Sequence, residues 1–302
     1  MDSREDELAA LLVLLRRKPR GAGWSEIAID VAVRGSAVAT LAELSGDALF
    51  ATTDDDAELA AAHQAVAHWF ASGYQVVTVL DDGYPQRLLG VRDTPPFLFY
   101  EGTLTDPDPG MSIVGSRAAS TAGLRFAADA AGLLVSEGLT VIAGLAAGVD
   151  TTAHLAALDT GGRTVAVIGT GIARSYPAAN AGLQREIAAR GLLLSQFYPD
   201  APPTKQSFPV RNATMSGYGL ATIVVEAGEN SGTRIQARVA GEHGRPVILT
   251  SNVARTTTWG AALVGRPNVY VVSTLTELAD AVTEIRATPD RLRSALDALV
   301  SV

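Results

Sequence analysis

Residues 111–125 read MSIVGSRAASTAGLR, and this stretch decides how the rest of the chain is read. Met111 to Val114 is an apolar run of strand length. Gly115-Ser116-Arg117 stops it, and Ser120 and Thr121 open a helical pattern that continues to residue 137. A buried strand that turns into a helix through small residues is the outline of a phosphate-binding turn, because the N–H groups at a helix start attract anions. Two well-known versions of that turn are excluded. Neither G-x-G-x-x-G nor G-x-x-x-x-G-K-[ST] is present, and an arginine, Arg117, stands where a phosphate would sit.

The same alternation continues downstream. Apolar runs LTVIAG (139–144), RTVAVIG (163–169), LLLSQF (192–197), LATIVVEA (220–227), RPVILT (245–250) and NVYVV (268–272) are separated by helical patterns over 148–159, 178–190 and 232–243. Continuous apolar strands between helices predict a mostly parallel sheet covered on both faces, a doubly wound α/β fold. In such folds ligands bind in the crevice outside the carboxyl ends of the strands. Upstream, EDELAALLVLLRR, WSEIAIDVAVRG, AVATLAELSGDALF and DDDAELAAAHQAVAHWFASG read as helices, so residues 1–72 are expected to form a small helical domain. YQVVTVL (74–80) and PPFLFYEG (95–102) read as extra strands leading into an α/β domain over 73–272. TLTDPDPG (103–110) is a connector, and residues 273–302 are expected to form a helical tail.

Composition limits the chemistry. The chain has 302 residues and no cysteine, and its four histidines (63, 68, 154 and 243) lack ligand spacing, so neither a metal site nor a cofactor is expected. No apolar run reaches the roughly 20 residues of a membrane span, and the charged opening MDSRED is not that of a secretory signal. A cytoplasmic location without membrane attachment is the expectation. The net charge of −8 argues against a polyanionic partner, but the distribution is uneven. Residues 1–109 hold 8 Lys+Arg against 18 Asp+Glu, residues 110–272 hold 13 against 9, and residues 273–302 hold 3 against 5. The segment that carries the strand–turn–helix units is the basic one.

The residues that follow the strands list what the crevice would contain: Gly115-Ser116-Arg117, Gly144 to Asp150, Gly169-Thr170-Gly171, Ser195-Gln196 and Glu226-Ala227-Gly228, then Ser231-Gly232-Thr233-Arg234. Each alone is ordinary turn chemistry, whereas five in register point to a phosphate-bearing ligand. Residues 205–217, KQSFPVRNATMSG, show neither helical nor strand periodicity and read as a long loop carrying Lys205, Arg211 and Asn212 beside Phe208. Cations next to a ring suit single-stranded nucleic acid. Equally, Arg211-Asn212 caps a following helix and Phe208 fills a core gap. Asp150 and His154 share a helix face and Glu226 ends a strand, so acid–base chemistry has candidates. Asp150 also sits where a helix start favours a carboxylate, and no paired nucleophile stands out.

Taken in order, IVGSRAASTAG, VIAGLAAGVDTTAHLAALDTGGRTVAVIGTGIARSYPAAN, GLLLSQFYP, SFPVRNATMSG and VVEAGENSGTRIQARVA resemble the DNA-processing protein A family, also called DprA or Smf. DDGYPQRLLGVRDTPPFLFYEG is similar to that family's lead-in to an extended Rossmann domain, and the first 70 residues resemble, in kind, its sterile-alpha-motif-like domain. The resemblance implies a homodimeric, non-enzymatic protein that binds single-stranded DNA and loads a RecA-type recombinase during DNA uptake. It places Arg117 and Arg211 at DNA-contacting positions with Lys205 close by, and has Gly115, Ser116, Gly144, Ser231, Gly232 and Thr233 shape the anion pocket. Replacement of either arginine is then expected to weaken binding without unfolding the protein.

Several positions depart from the family pattern. Ala213 stands where a second arginine is usual after Arg211-Asn212, and Gln196 follows Ser195 where a glutamate is usual. SGTRIQA replaces a serine-glycine-serine turn leading to Thr-Ala, so Arg234 is a candidate to replace the lost cation. LTSNVARTTTWG stands in for the Pro-Gly that normally follows the later strand. With about 30 residues after Val272, the winged-helix domain of longer members is expected to be absent. A second reading is a small-nucleotide sensor or an N-glycosidic hydrolase akin to the phosphoribohydrolases. There Glu226 acts near the glycosidic bond and Ser231 to Thr233 hold the phosphate, although only NSGT of that family's glycine-rich pattern is present.

Overall fold

The computed structural model describes residues 3–46 and 53–300; the expected helical run over 37–50 therefore ends in residues outside the described ones. The strands β1 (Gln75–Thr78), β2 (Phe97–Gly102), β3 (Gly110–Val114), β4 (Thr140–Ala143), β5 (Thr164–Val167), β6 (Leu192–Ser195), β7 (Thr222–Val224), β8 (Val247–Thr250) and β9 (Val269–Val272) form one sheet in the order β1-β2-β6-β5-β4-β3-β7-β8-β9. From β6 to β9 all neighbours are parallel. Only β2 runs antiparallel to both its partners, β1 and β6. The two strands read ahead of the connector thus extend one edge of the parallel sheet.

Side chains that alternate along each strand separate into two cores. Met111, Ile113, Val141, Ile223 and Ile248 face one cluster; Val114, Ile142, Val224 and Leu249 face the other. Burial on both faces explains the unbroken apolar runs. The helices in chain order are α1 (Ser3–Arg17), α2 (Trp24–Arg34), α3 (Ala37–Gly46), α4 (Thr53–Ala71), α5 (Gln86–Leu89), α6 (Thr121–Ser136), α7 (Val149–Asp159), α8 (Ala181–Arg190), α9 (Ser207–Tyr218), α10 (Gly232–Glu242), α11 (Ser251–Thr256), α12 (Thr258–Ala261) and α13 (Leu275–Val300). On the first face lie α6, α7 and α13, with Ala127, Ala153 and Val282 in the core; α9 and α10 cover the second with Met215 and Ala237.

The N-terminal helices share that second core. Leu8 to Leu15 of α1 are buried on every side, as in a helix central to its neighbours. An aromatic group then joins these helices to the sheet: Trp24 lies 5.7 Å from Phe97, and Trp69 meets Phe99 edge-on at 5.0 Å and stacks on Tyr198 at 5.7 Å. Such offset and edge-on pairs are the favoured arrangements of aromatic quadrupoles.

The strand order reverses between β3 and β7. From β3 the chain winds outward through β4 and β5 to β6, then returns through α9 to β7 on the opposite side of β3. That reversal opens a crevice at the carboxyl ends of β3 and β7, the place where doubly wound sheets bind ligands.

One expectation fails on the return path. Residues 207–217 are helix, not loop. Thr204 Oγ1 accepts a bond from the Ser207 N–H at 3.0 Å while Ser207 Oγ accepts from the Thr204 N–H at 3.1 Å, a reciprocal pair that fixes the turn leading into the helix. Pro209 is tolerated because it lies in the first turn, where N–H groups have no intrahelical partner. Arg211 through Tyr218 are all buried, so this part of α9 has no wet face and shows no apolar–polar period.

Candidate nucleic-acid interface

A cavity of about 400 Å³ fills the switch point. The turn after β3 supplies Gly115, Ser116 and Arg117, α9 supplies Phe208, Arg211 and Asn212, and the start of α10 supplies Ser231, Gly232 and Thr233. Gly144 lines a smaller adjoining cavity with Phe208, Arg211 and Tyr176. These residues come from separate strand ends. Lys205 and Arg234 do not join them: Lys205 is exposed on the turn before α9, and Arg234 lines another cavity, so it supplies no cation to this crevice.

The β3 turn is pressed against its surroundings. The Ser116 N–H donates to the Glu226 carbonyl at 2.7 Å, and the Ser116 carbonyl accepts from the Val149 N–H at 3.3 Å. Gly148 makes this fit possible. It has φ 78°, and a Cβ there would lie 2.3 Å from the Ser116 carbonyl oxygen. Arg117 is exposed, and its guanidinium lies over the Phe208 ring, 5.6 Å from the centroid, a cation–π distance. Tyr176 packs on the other part of that ring at 5.5 Å. Among the described residues Arg117 has no ion-pair partner.

Arg211 has a different role. It is 6% exposed, and Nη1 donates to the carbonyls of Gly144 at 2.5 Å and Val167 at 2.7 Å, while Nε donates to Asn212 Oδ1 at 3.0 Å. The buried guanidinium therefore ties the ends of β4 and β5 together, and among the described residues only Nη2 is left for a ligand. Burial pulls the Arg211 pKa down, opposed by the nearby Asp150 carboxylate. Burial likewise raises Asp150, opposed by Arg211 and by the backbone N–H groups of Gly144 and Ala146. Asp150 is thus a loop-holding carboxylate in the first turn of α7 that also balances Arg211. His154 offers no base to the crevice. Its Nδ1 bonds to Thr164 Oγ1 at 2.7 Å, and burial, with Arg211 behind it, lowers its pKa to about 3.

Glu226 lies outside the crevice, contrary to the hydrolase reading. One oxygen accepts from the Ser120 N–H at 3.0 Å and the other from Ser120 Oγ at 2.6 Å, and it lines a separate cavity with Ser120, Gly123 and Thr250. Ser120 is the N-cap of α6. A carboxylate of the protein itself therefore holds the helix start where a dinucleotide pyrophosphate would bind. The position of Gly123 agrees, because a Cβ there would meet Glu226 Oε2 at 2.4 Å.

Two departures in the sequence meet in one place. Ala213 and Gln196 both line a cavity on the far side of α9 beside Pro209 and Val210. Position 213 thus opens onto that cavity and not onto the crevice. Met215 and Gln236 line the crevice unforeseen; both are buried residues inside helices, where spacing carries no sign of a ligand. Among the described residues no group of three or more His, Asp or Glu side chains is placed to hold a metal, and no helix is long and apolar enough to cross a membrane.

Fold and site together define a Rossmann-like α/β protein with a cationic, aromatic-walled crevice at its switch point. The family model for DNA recombination-mediator protein A matches residues 75–282, and the chain belongs to that family. It is 43% identical over 172 residues to DNA processing protein DprA of Streptococcus pneumoniae, covering 57% of this chain and 61% of that protein. It is 39% identical over 183 residues to protein Smf of Synechocystis, covering 59% and 46% respectively. The chain spans about half the length of these curated relatives. The X-ray structure of the Streptococcus pneumoniae protein matches with a TM-score of 0.67 and 29% identity over 91% of this chain and 94% of that one. DNA processing protein A from Helicobacter pylori, described for its single-stranded DNA binding mode, shares the fold at a TM-score of 0.62 and 24% identity, over 70% and 98% of the two chains.

Proposed function

We propose that this protein binds single-stranded DNA in the switch-point crevice, acts as a recombination mediator that loads a RecA-type recombinase during DNA uptake, and does so as a cytoplasmic homodimer without catalysing a reaction. The observation that carries the reading is Arg117 over Phe208. A free cation placed 5.6 Å from a ring centre offers a phosphate contact and a stacking face in one position, the pair that single strands require. Membership of the recombination-mediator family and the ligand described for the Helicobacter pylori protein agree with it. Gly232 at the start of α10 adds an N–H donor for a second phosphate, the N–H groups of Ser231 and Thr233 being taken by the Gly228 carbonyl and Ser231 Oγ.

A fluorescence-anisotropy titration of labelled oligo-dT at two salt concentrations tests the reading, with a mononucleotide as competitor. Salt-sensitive binding that the mononucleotide fails to compete away is the expected result. Absence of binding in low salt, or tighter binding of the mononucleotide, would refute it.

A further inference from the structure

On the other flank of α10 a second cavity, of about 550 Å³, lies between that helix, α12 and the loop before β9. Four arginines line it: Arg234, Arg238, Arg245 and Arg266. Its one carboxylate, Glu242, is already engaged by Arg92 and Arg238. In a chain of net charge −8 this is a marked local excess of cations. Arg234 and Arg266 are exposed, and among the described residues neither side chain has a hydrogen bond or ion pair. Arg245 is half-buried; its Nη2 reaches the carbonyls of Arg87 at 3.2 Å and Gly217 at 3.4 Å, and its Nε has no partner. Arg234 also feels the exposed Glu229 carboxylate, which is hydrogen-bonded to Thr258, yet the arginines still outnumber the carboxylates; like charges in excess repel, and a bound polyanion relieves that repulsion.

The cavity adjoins the crevice. Arg234 directly follows the Ser231-Gly232-Thr233 turn, and Arg238 lies one helical turn further on the same face of α10. Trp259, in the wall of the second cavity, donates its indole N–H at 3.3 Å to the carbonyl of Gly228, which lines the crevice. We propose that this arginine-lined cavity is a second phosphate subsite, which carries a single strand of DNA onward from the crevice along α10. The proposal rests on the single-stranded DNA reading above.

The test compares wild type, Arg117→Ala and an Arg234→Ala/Arg266→Ala double variant, each titrated with (dT)5 and (dT)25 at 50 and 200 mM salt. The double variant is expected to keep wild-type affinity for (dT)5 and to lose affinity for (dT)25. Between the two salt concentrations wild type should lose ~7-fold more affinity for (dT)25 than the double variant does, the effect of two phosphate contacts on a single strand. Arg117→Ala should weaken both oligonucleotides. Wild-type behaviour of the double variant toward (dT)25 would overturn the subsite and leave the crevice reading standing, as would an equal loss on both lengths. A shift in its oligomeric state by light scattering, with (dT)25 affinity unchanged, would also overturn it, in favour of a protein partner. Failure of wild type to bind either oligonucleotide would overturn both.

Discussion

Arg211 and Asp150 grip the same residue from opposite sides: Arg211 Nη1 donates to the Gly144 carbonyl at 2.5 Å, and the Asp150 carboxylate accepts from the Gly144 N–H at 2.9 Å. A buried cation and a buried anion are thus balanced through one glycine instead of through a direct ion pair. Gly144 must be glycine for this, since a Cβ would sit 2.1 Å from Nη1. The loop that walls the crevice is held in place by the interaction.

Arg211→Ala is therefore expected to destabilise the fold, in contrast to the simple DNA-contact role that the family resemblance implied. It leaves two strand-end carbonyls without their donor and Asp150 without its balancing charge, a loss of about 3 kcal/mol. A fall in the urea unfolding midpoint, with any loss of DNA affinity following from it, would show this. An unchanged midpoint would return Arg211 to a direct contact role.

Arg117→Ala should behave in the opposite way. The side chain is exposed and holds no backbone group, so the unfolding midpoint stays at its wild-type value. The salt dependence of oligo-dT binding should flatten by about 0.7 in log–log slope, the share of one phosphate on a single strand. Anisotropy titrations over a salt series read this directly, and an unaltered slope counts against the contact.

Stability should fall on acidification through His154. Its folded pKa, lowered to about 3, lies below the ordinary value of about 6.5, so the fold favours the neutral ring. The contribution is complete above pH 6.5 and is lost as pH falls from there toward 3, at a limiting slope of about 1.4 kcal/mol per pH unit. Asp150, raised by burial, acts in the opposite sense and is present in both proteins compared. Urea midpoints of wild type and His154→Gln between pH 7 and 4.5 should converge as the pH falls; parallel curves would show that folding leaves the His154 pKa at its ordinary value.

Glu226→Gln should leave oligo-dT affinity unchanged while costing about 1 kcal/mol of stability, because the N-terminus of α6 loses its negative charge and one of two acceptor oxygens. A mutant with wild-type stability and lost binding would place Glu226 at the ligand after all.

Residues 111–125 already contained the strand, the turn and the helix now seen as β3 and α6, because a strand buried on both faces and a helix with a Ser cap each leave a local mark. The order of apolar runs likewise determined a parallel sheet, and Arg117 was visible as the cation at its first turn. Tertiary structure alone decided three things. Burial of Arg211 through Tyr218 erased the period of α9, so the helix that brings Phe208 to Arg117 looked like a loop. Arg211, equally plausible by composition as a ligand contact, was assigned to the frame by the carbonyls of Gly144 and Val167, 67 and 44 residues away. Glu226 was withdrawn from the crevice by Ser120, 106 residues earlier. Periodicity records whether a residue's own element has a wet face, whereas the role of a polar side chain depends on which distant groups the fold sets beside it.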